Sequence, residues 1–221
     1  LVYYEPTFAQ ELEWIFLAGL RNLLDRKRGR ILYLRLSTRP APQNLFPADR
    51  QTAPQRLERL RRDVLRGGYR LLDHGSAPGY SPGRNVLNIF TCGVMVVDAL
   101  EASRRLAREG IFANVIAVTS PDLLFRGWQQ AGKLKMNNPG VRFTFHLEGL
   151  IPPSERRVPI VTVLDGHSHA LSFIGSVFGS QTLCLGVDEF GQSGKVEELY
   201  DHYQIGVKAI ARAARRVIRR G

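Results

Sequence analysis

Apolar positions along the chain recur at two different spacings, and the change from one to the other divides it in two. In YYEPTFAQELEWIFLAGLRNLLDRK, Leu12, Ile15, Phe16, Leu20, Leu23 and Leu24 share a helical face. This spacing predicts a first helix, with Pro6 in its opening turn and Glu5 or Thr7 near its cap. RILYLRLS alternates Ile31, Tyr33 and Arg35 against Leu32, Leu34 and Leu36 and reads as a short strand. STRPAPQNLFPADRQTAP has no periodicity and carries four prolines, so it is a connector. PQRLERLRRDVLRG follows as a charged helix, and Gly67-Gly68 leads into a short strand, YRLLDHG. The turn-rich SAPGYSPGRN then marks a domain boundary, giving units over 1–83 and 84–221.

Beyond that boundary strands and helices alternate. NVLNIFTCG, ANVIAVTS, VPIVTVLDG and QTLCLGVD are nearly continuous apolar runs, as parallel strands buried on both faces tend to be. Between them lie the helical stretches VMVVDALEASRRLAREG, PDLLFRGWQQAGK (capped by Ser120, with Pro121 in its first turn) and HALSFIGSVFGS. KVEELYDHYQIGVKAIARAARRVIRR reads as two helices broken at Ile205-Gly206. The pattern predicts an α/β domain with right-handed crossovers, preceded by a helix–strand–helix segment.

Composition narrows the function classes. No apolar run approaches the roughly 18–20 residues of a membrane span, and the acidic residues within 1–24 argue against a secretory signal. A chain opening on Leu1 rather than Met is expected to be a cut piece of something longer. Cys92 and Cys184, both in apolar strands, read as buried free thiols of a reducing, cytoplasmic compartment. The net charge of +11 concentrates in RNLLDRKRGR, RLERLRRDVLRGGYR and ARAARRVIRR. Helical charge runs are ordinarily solvated faces, and no nucleic-acid signature accompanies these.

LCLGVDEFGQSGK, at 183–195, has the composition of a phosphate cradle but not its spacing. With Gly194-Lys195 as the G-K pair of a Walker loop, Glu189 stands where the first glycine belongs. Val196 replaces the hydroxyl that would hold magnesium, and Asp188 and Glu189 would face the phosphates. What remains is a structural turn of Gly186, Asp188, Phe190, Gly191, Ser193 and Gly194. Gly191 and Gly194 are expected to supply special backbone angles, Ser193 to cap the next helix and Phe190 to be buried.

DGHSH offers Asp165, His167 and His169 at a strand end, and in extended chain these could converge on a metal. A helix starting there would instead splay the histidines, leaving a polar interface or cleft rim. Ser168 and Ser193 lack the G-x-S-x-G elbow of a hydrolase. Asn137-Asn138 could close a thiamine-diphosphate signature, but no G-D-G precedes it. Within the chain no catalytic, cofactor-binding or metal site is expected.

LGVDEFGQSGKVEELYDHYQIGVKAIARAA resembles the end of the transketolase family, where a strand runs into a G-x-D-x-F-G-x-S-G turn, a short helix and a long last helix. NVLNIFTCGVMVVDALEASRRLAREGIFANVIAVTSPDLL is similar to the opening of that family's C-terminal domain. Glu5-Pro6-Thr7-Phe8 through Glu11, with the long insert before VPIVTV, favours the homodimeric pyruvate dehydrogenase (decarboxylating) branch. DGHSHALSFIGS and the 39–54 connector depart from the family pattern.

The resemblance implies a three-layer α/β/α sandwich around a mostly parallel sheet over 84–221, with 1–83 the tail of a pyrimidine-binding domain plus linker. It further implies that thiamine diphosphate and Mg2+ are bound by the parent enzyme in segments outside this chain. This portion would be inactive alone, packing on the remaining domains, contributing to a homodimer and offering a basic surface to the lipoyl acyltransferase component. The alternatives are the same region of a transketolase or another thiamine-diphosphate enzyme, a stand-alone basic binding module, and a metal enzyme using Asp165, His167 and His169.

Overall fold

The computed structural model describes residues 1–49 and 51–219. In chain order the elements are β1 (Val2–Tyr4), α1 (Ala9–Leu23), β2 (Leu32–Leu34), α2 (Pro54–Leu65), β3 (Gly68–Leu72), β4 (Val86–Cys92), α3 (Met95–Ala107) and β5 (Phe112–Val118). Then come α4 (Pro121–Asn137), α5 (His146–Gly149), β6 (Ile160–Val163), α6 (His169–Phe178), β7 (Thr182–Leu185), α7 (Val196–His202) and α8 (Val207–Ile218). Two compact units divide these elements: Leu1–Tyr69 with Val118–Ile151, and Arg70–Ala117 with the stretch from Pro152 onward.

The first unit holds a two-stranded parallel sheet, with Tyr3 paired to Tyr33, and α1 as the crossover between its strands. Parallel neighbours cannot be joined by a tight turn, so an intervening helix is obligatory. The helical stretch read from the sequence begins at Tyr3, but Tyr3 and Tyr4 belong with Val2 to a strand, and α1 starts only at Ala9. The reason lies in Glu11: its carboxylate accepts the backbone N–H of Phe8 at 2.9 Å and of Thr7 at 2.5 Å. Two otherwise orphaned helix donors are thereby satisfied, and the cap role expected of Glu5 or Thr7 belongs to this third helical position.

The connector contributes an aromatic anchor that its lack of periodicity concealed. Phe46 sits among Phe8, Trp14 and Tyr69, with ring centroids 5.4, 5.8 and 6.3 Å away. Gly67, at φ +110°, allows its carbonyl to accept both Thr119 N–H and Ser120 N–H. A side chain there would strike the Ser120 carbonyl 2.9 Å away. Ser120 caps α4 by accepting Leu123 N–H at 3.2 Å, as its position before Pro121 predicts.

The larger sheet, order β3-β5-β4-β6-β7, belongs to the second unit. β6 is parallel to both β4 and β7, with Phe90 opposite Thr162 and Thr162 opposite Cys184. Every residue of β4, β5 and β6 is buried, as the apolar runs predict for a sheet covered on both faces. α3 and α8 pack on one another and on the sheet, and α6 lies against β6 and β7. This is an α/β fold with a mostly parallel sheet and helices on both sides. Cys92 is buried, but Cys184 on the edge strand is only half-buried, because β7 has a neighbour on one side alone. Among the described residues, no helix is long and apolar enough to cross a membrane.

Candidate functional site

β6 and β7 run parallel, so the loops leaving them, 164–168 and 186–195, emerge at the same edge of the sheet. In α/β folds that carboxyl edge is where binding groups collect. The two loops are stitched together by backbone. Leu164 N–H donates to the Leu185 carbonyl at 3.3 Å, and Val187 N–H to the Gly166 carbonyl at 2.8 Å. Gly186 makes this approach possible: a Cβ there would lie 2.6 Å from Ser168 N and 2.7 Å from the Gly166 carbonyl.

Asp188 completes the joint by accepting Ser168 N–H at 2.8 Å. That backbone donor, with His167 and His169 close by, holds the carboxyl below the usual aspartate range. His167 Nδ1 stands 3.3 Å from Asp188 Oδ1 and also 3.3 Å from His169 N–H. A bare Nδ1 accepts from His169 N–H, whereas an Nδ1–H donates to the Asp188 carboxylate.

The expected splaying of the histidines does not occur. α6 does start at His169, yet the rings of His167 and His169 are 4.6 Å apart at 35°. Their proximity still does not make a metal centre. Among the described residues no group of three or more His, Cys, Asp or Glu side chains could hold an ion, so Asp165, His167 and His169 are not brought together as ligands.

The far half of the turn differs from expectation at three points. Phe190 is 91% exposed rather than buried, because the loop carries it beyond the end of β7 where no apolar layer covers it. Gly191 and Gly194 are exposed and neither has positive φ, so no left-handed angle is needed at either. Ser193 does not cap α7; Lys195 occupies the N-cap position without a side-chain bond. The loop is held instead by Tyr203, whose hydroxyl donates to the Phe190 carbonyl at 3.0 Å and accepts Gln192 N–H at 2.8 Å. The sequence signal for this was weak: a tyrosine after a short helix.

A buried polar network elsewhere in the second unit escaped the sequence pattern altogether. Glu155, 4% exposed, takes a two-pronged bond from the Arg70 guanidinium, both contacts at 2.9 Å. Tyr80 donates to it at 2.5 Å, and Asn114 Nδ2 lies 3.2 Å away. Burial, with the Glu155 bond added, pushes the Tyr80 phenol up to about 12. Ser103 Oγ donates to the Ala113 carbonyl at 2.6 Å, so it can only accept from His74 Nε2 at 2.9 Å, which assigns the ring its Nε2–H tautomer. Partners 85 positions apart leave no local trace in a sequence.

Residues 67–206 match the family profile described as the transketolase-like TK C-terminal domain. The plasmid-encoded transketolase of Cupriavidus necator is 30% identical over 173 residues, which cover 78% of this chain and 21% of that protein. The chain thus spans about a fifth of that relative's length. Among solved structures, a split-gene transketolase described as an inactive β4 tetramer is similar with a TM-score of 0.56 at 18% identity, covering 98% of this chain and 57% of that one. A mutant transketolase from Pichia stipitis, solved in complex with fructose 6-phosphate, gives 0.60 at 18%, covering 98% and 25%. At such identities the structural likeness establishes the fold.

Proposed function

This chain belongs to the transketolase-like C-terminal domain family, and from that membership we propose that it is the C-terminal, non-catalytic portion of a thiamine-diphosphate-dependent enzyme of transketolase type. The observation that carries the reading is the profile match over 67–206, which takes in the strand–helix alternation and the 186–194 turn together. The pyruvate dehydrogenase branch expected from residues 3–24 and the insert before VPIVTV gains no support from the relatives named above, which are transketolases. Oxidoreductase chemistry and a lipoyl acyltransferase partner lose their basis with it.

In this reading residues 1–83 are the tail of a pyrimidine-binding domain plus linker, and 84–221 are the C-terminal domain. β3 is then the part of the linker that joins the larger sheet. Gly186 and Asp188 serve as the structural joint between two strand ends. Asp165, His167, His169 and the exposed Phe190 form a polar rim with an aromatic tip, suited to contact with other domains or a second subunit.

Thiamine diphosphate and Mg2+ are assigned to the parent rather than to residues here. The donor set at the turn does not fit a diphosphate: Asp188 and Glu189 would repel it, and Lys195 is followed by Val196 rather than a hydroxyl. No catalytic step is therefore placed on this chain.

The test is an assay of the full reading frame carrying these residues, with and without thiamine diphosphate and Mg2+. Ketol transfer from a ketose phosphate such as fructose 6-phosphate is measured beside decarboxylation of pyruvate with a dye acceptor. Cofactor-dependent ketol transfer is the expected result. Turnover of pyruvate alone would restore the dehydrogenase reading, and turnover of neither substrate would defeat both.

A further inference from the structure

The helix α1 is apolar almost all the way round. Glu11, Trp14 and Ile15 are buried on one side, yet Phe16, Leu17, Leu20, Leu23 and Leu24 line the opposite side and are about half exposed or more, Leu24 reaching 82%. At 100° per residue those five fall within roughly a third of the helix circumference, one continuous stripe. A helix with apolar residues on both sides belongs in an interior, not at a surface.

The sheet beside it shows the same condition. Leu32 points at α1, where a Cβ on Gly19 would meet its side chain 2.5 Å away. Alternation then turns Ile31 and Tyr33 to the other face, where both are more than half exposed. Parallel sheets are normally covered on both faces, and an isolated strand pair is marginal in water. Among the described residues, both the helix and the sheet of this β–α–β piece thus lack an outer layer. A small ligand cannot supply two layers; only further chain can.

We propose that the α1 stripe Phe16, Leu17, Leu20, Leu23 and Leu24, with the outer face of β2, is the seam against which the part of the parent polypeptide outside these 221 residues packs. This inference rests on the transketolase-type reading and names the surface involved. That relative's chain is about five times the matched length, so it has material to form such a cover. The exposed bases Arg21, Arg26, Lys27, Arg28 and Arg30 outnumber the exposed acids Glu13 and Asp25 beside the stripe, so the covering surface is apolar at its centre and mainly acidic at its rim.

The seam is tested on the full reading frame by thiol labelling of Leu20→Cys and Leu24→Cys. Met136→Cys, at an 82% exposed position of the same unit, serves as the fast-reacting reference. Thermal midpoints check that each variant is folded. Leu20→Cys and Leu24→Cys are expected to label at least 100-fold more slowly than Met136→Cys, with the protection unchanged on dilution. Labelling at the Met136→Cys rate overturns the seam. Protection that disappears as the protein is diluted also overturns it, because the cover would then be another molecule. A protein with cofactor-dependent turnover but a reactive Leu20→Cys sinks the seam alone, and a protected but inactive one sinks the proposed function alone.

Discussion

Gly186 and Phe190 lie four positions apart in one turn, and the structure gives them opposite weight. At 186 an added methyl meets backbone atoms of Gly166 and Ser168, which cannot move aside without breaking the Val187 and Asp188 bonds. Gly186→Ala is expected to cost about 1–3 kcal/mol, the usual range for forcing atoms into a filled space. Phe190→Ala removes a side chain already in water and is expected to stay within about 0.5 kcal/mol of the parent. Urea unfolding of the two variants checks both, and a larger loss for Phe190→Ala would reverse the assignment. The motif was legible as letters, but its division of labour was not. A glycine needed for close approach and one that is merely exposed look alike in a sequence, and an aromatic reads as core until its surroundings are known.

For elements, legibility followed burial. β4, β5 and β6 were readable because a strand covered on both faces is apolar at every position, and α8 because one side alone is apolar. β1 was not, since three residues ahead of a helix carry no period, and only pairing with β2 makes them a strand. The Arg70–Glu155 bond lies in the same class: it ties β3 to a single turn of 3-10 helix at Pro153–Glu155 through partners that local spacing cannot connect. Both side chains are largely buried, so removing Arg70 leaves the Glu155 carboxylate only the neutral donors Tyr80 and Asn114, and removing Glu155 leaves Arg70 only the more exposed Asp73. Glu155→Leu or Arg70→Met alone is expected to cost about 3–5 kcal/mol, and the double variant clearly less than the two losses together. A double-mutant cycle by denaturant titration measures this coupling. Single variants as stable as the parent would show that the network contributes nothing.

Across the whole molecule, two histidines, one in each unit, set a common pH dependence. His74 lies against Ser103, and His146 Nε2–H donates to the Gly68 carbonyl at 2.7 Å. Burial holds both below the free value of 6.5. At His74, Asp73 pulls upward and Arg70 pushes downward; at His146, the Gly68 bond and Asp63 pull upward and Arg66 pushes downward. With the folded values depressed, the unfolded chain binds protons in the interval below 6.5 that the folded chain does not. Their contribution to stability is therefore complete above pH 6.5 and lost as the pH falls through that interval. The buried Glu11 carboxyl acts with the opposite sign. Desolvation raises its value above 4.5 despite the Phe8 and Thr7 backbone donors, so its protonation on acidification favours the fold. The raw pH profile mixes the two effects, and the His74→Gln, His146→Gln double variant separates them. Its urea midpoint is expected to change less than the parent's between pH 7.5 and 5.5, the difference opening below 6.5. Parallel profiles for the two proteins would show that neither imidazole is kept neutral by the fold.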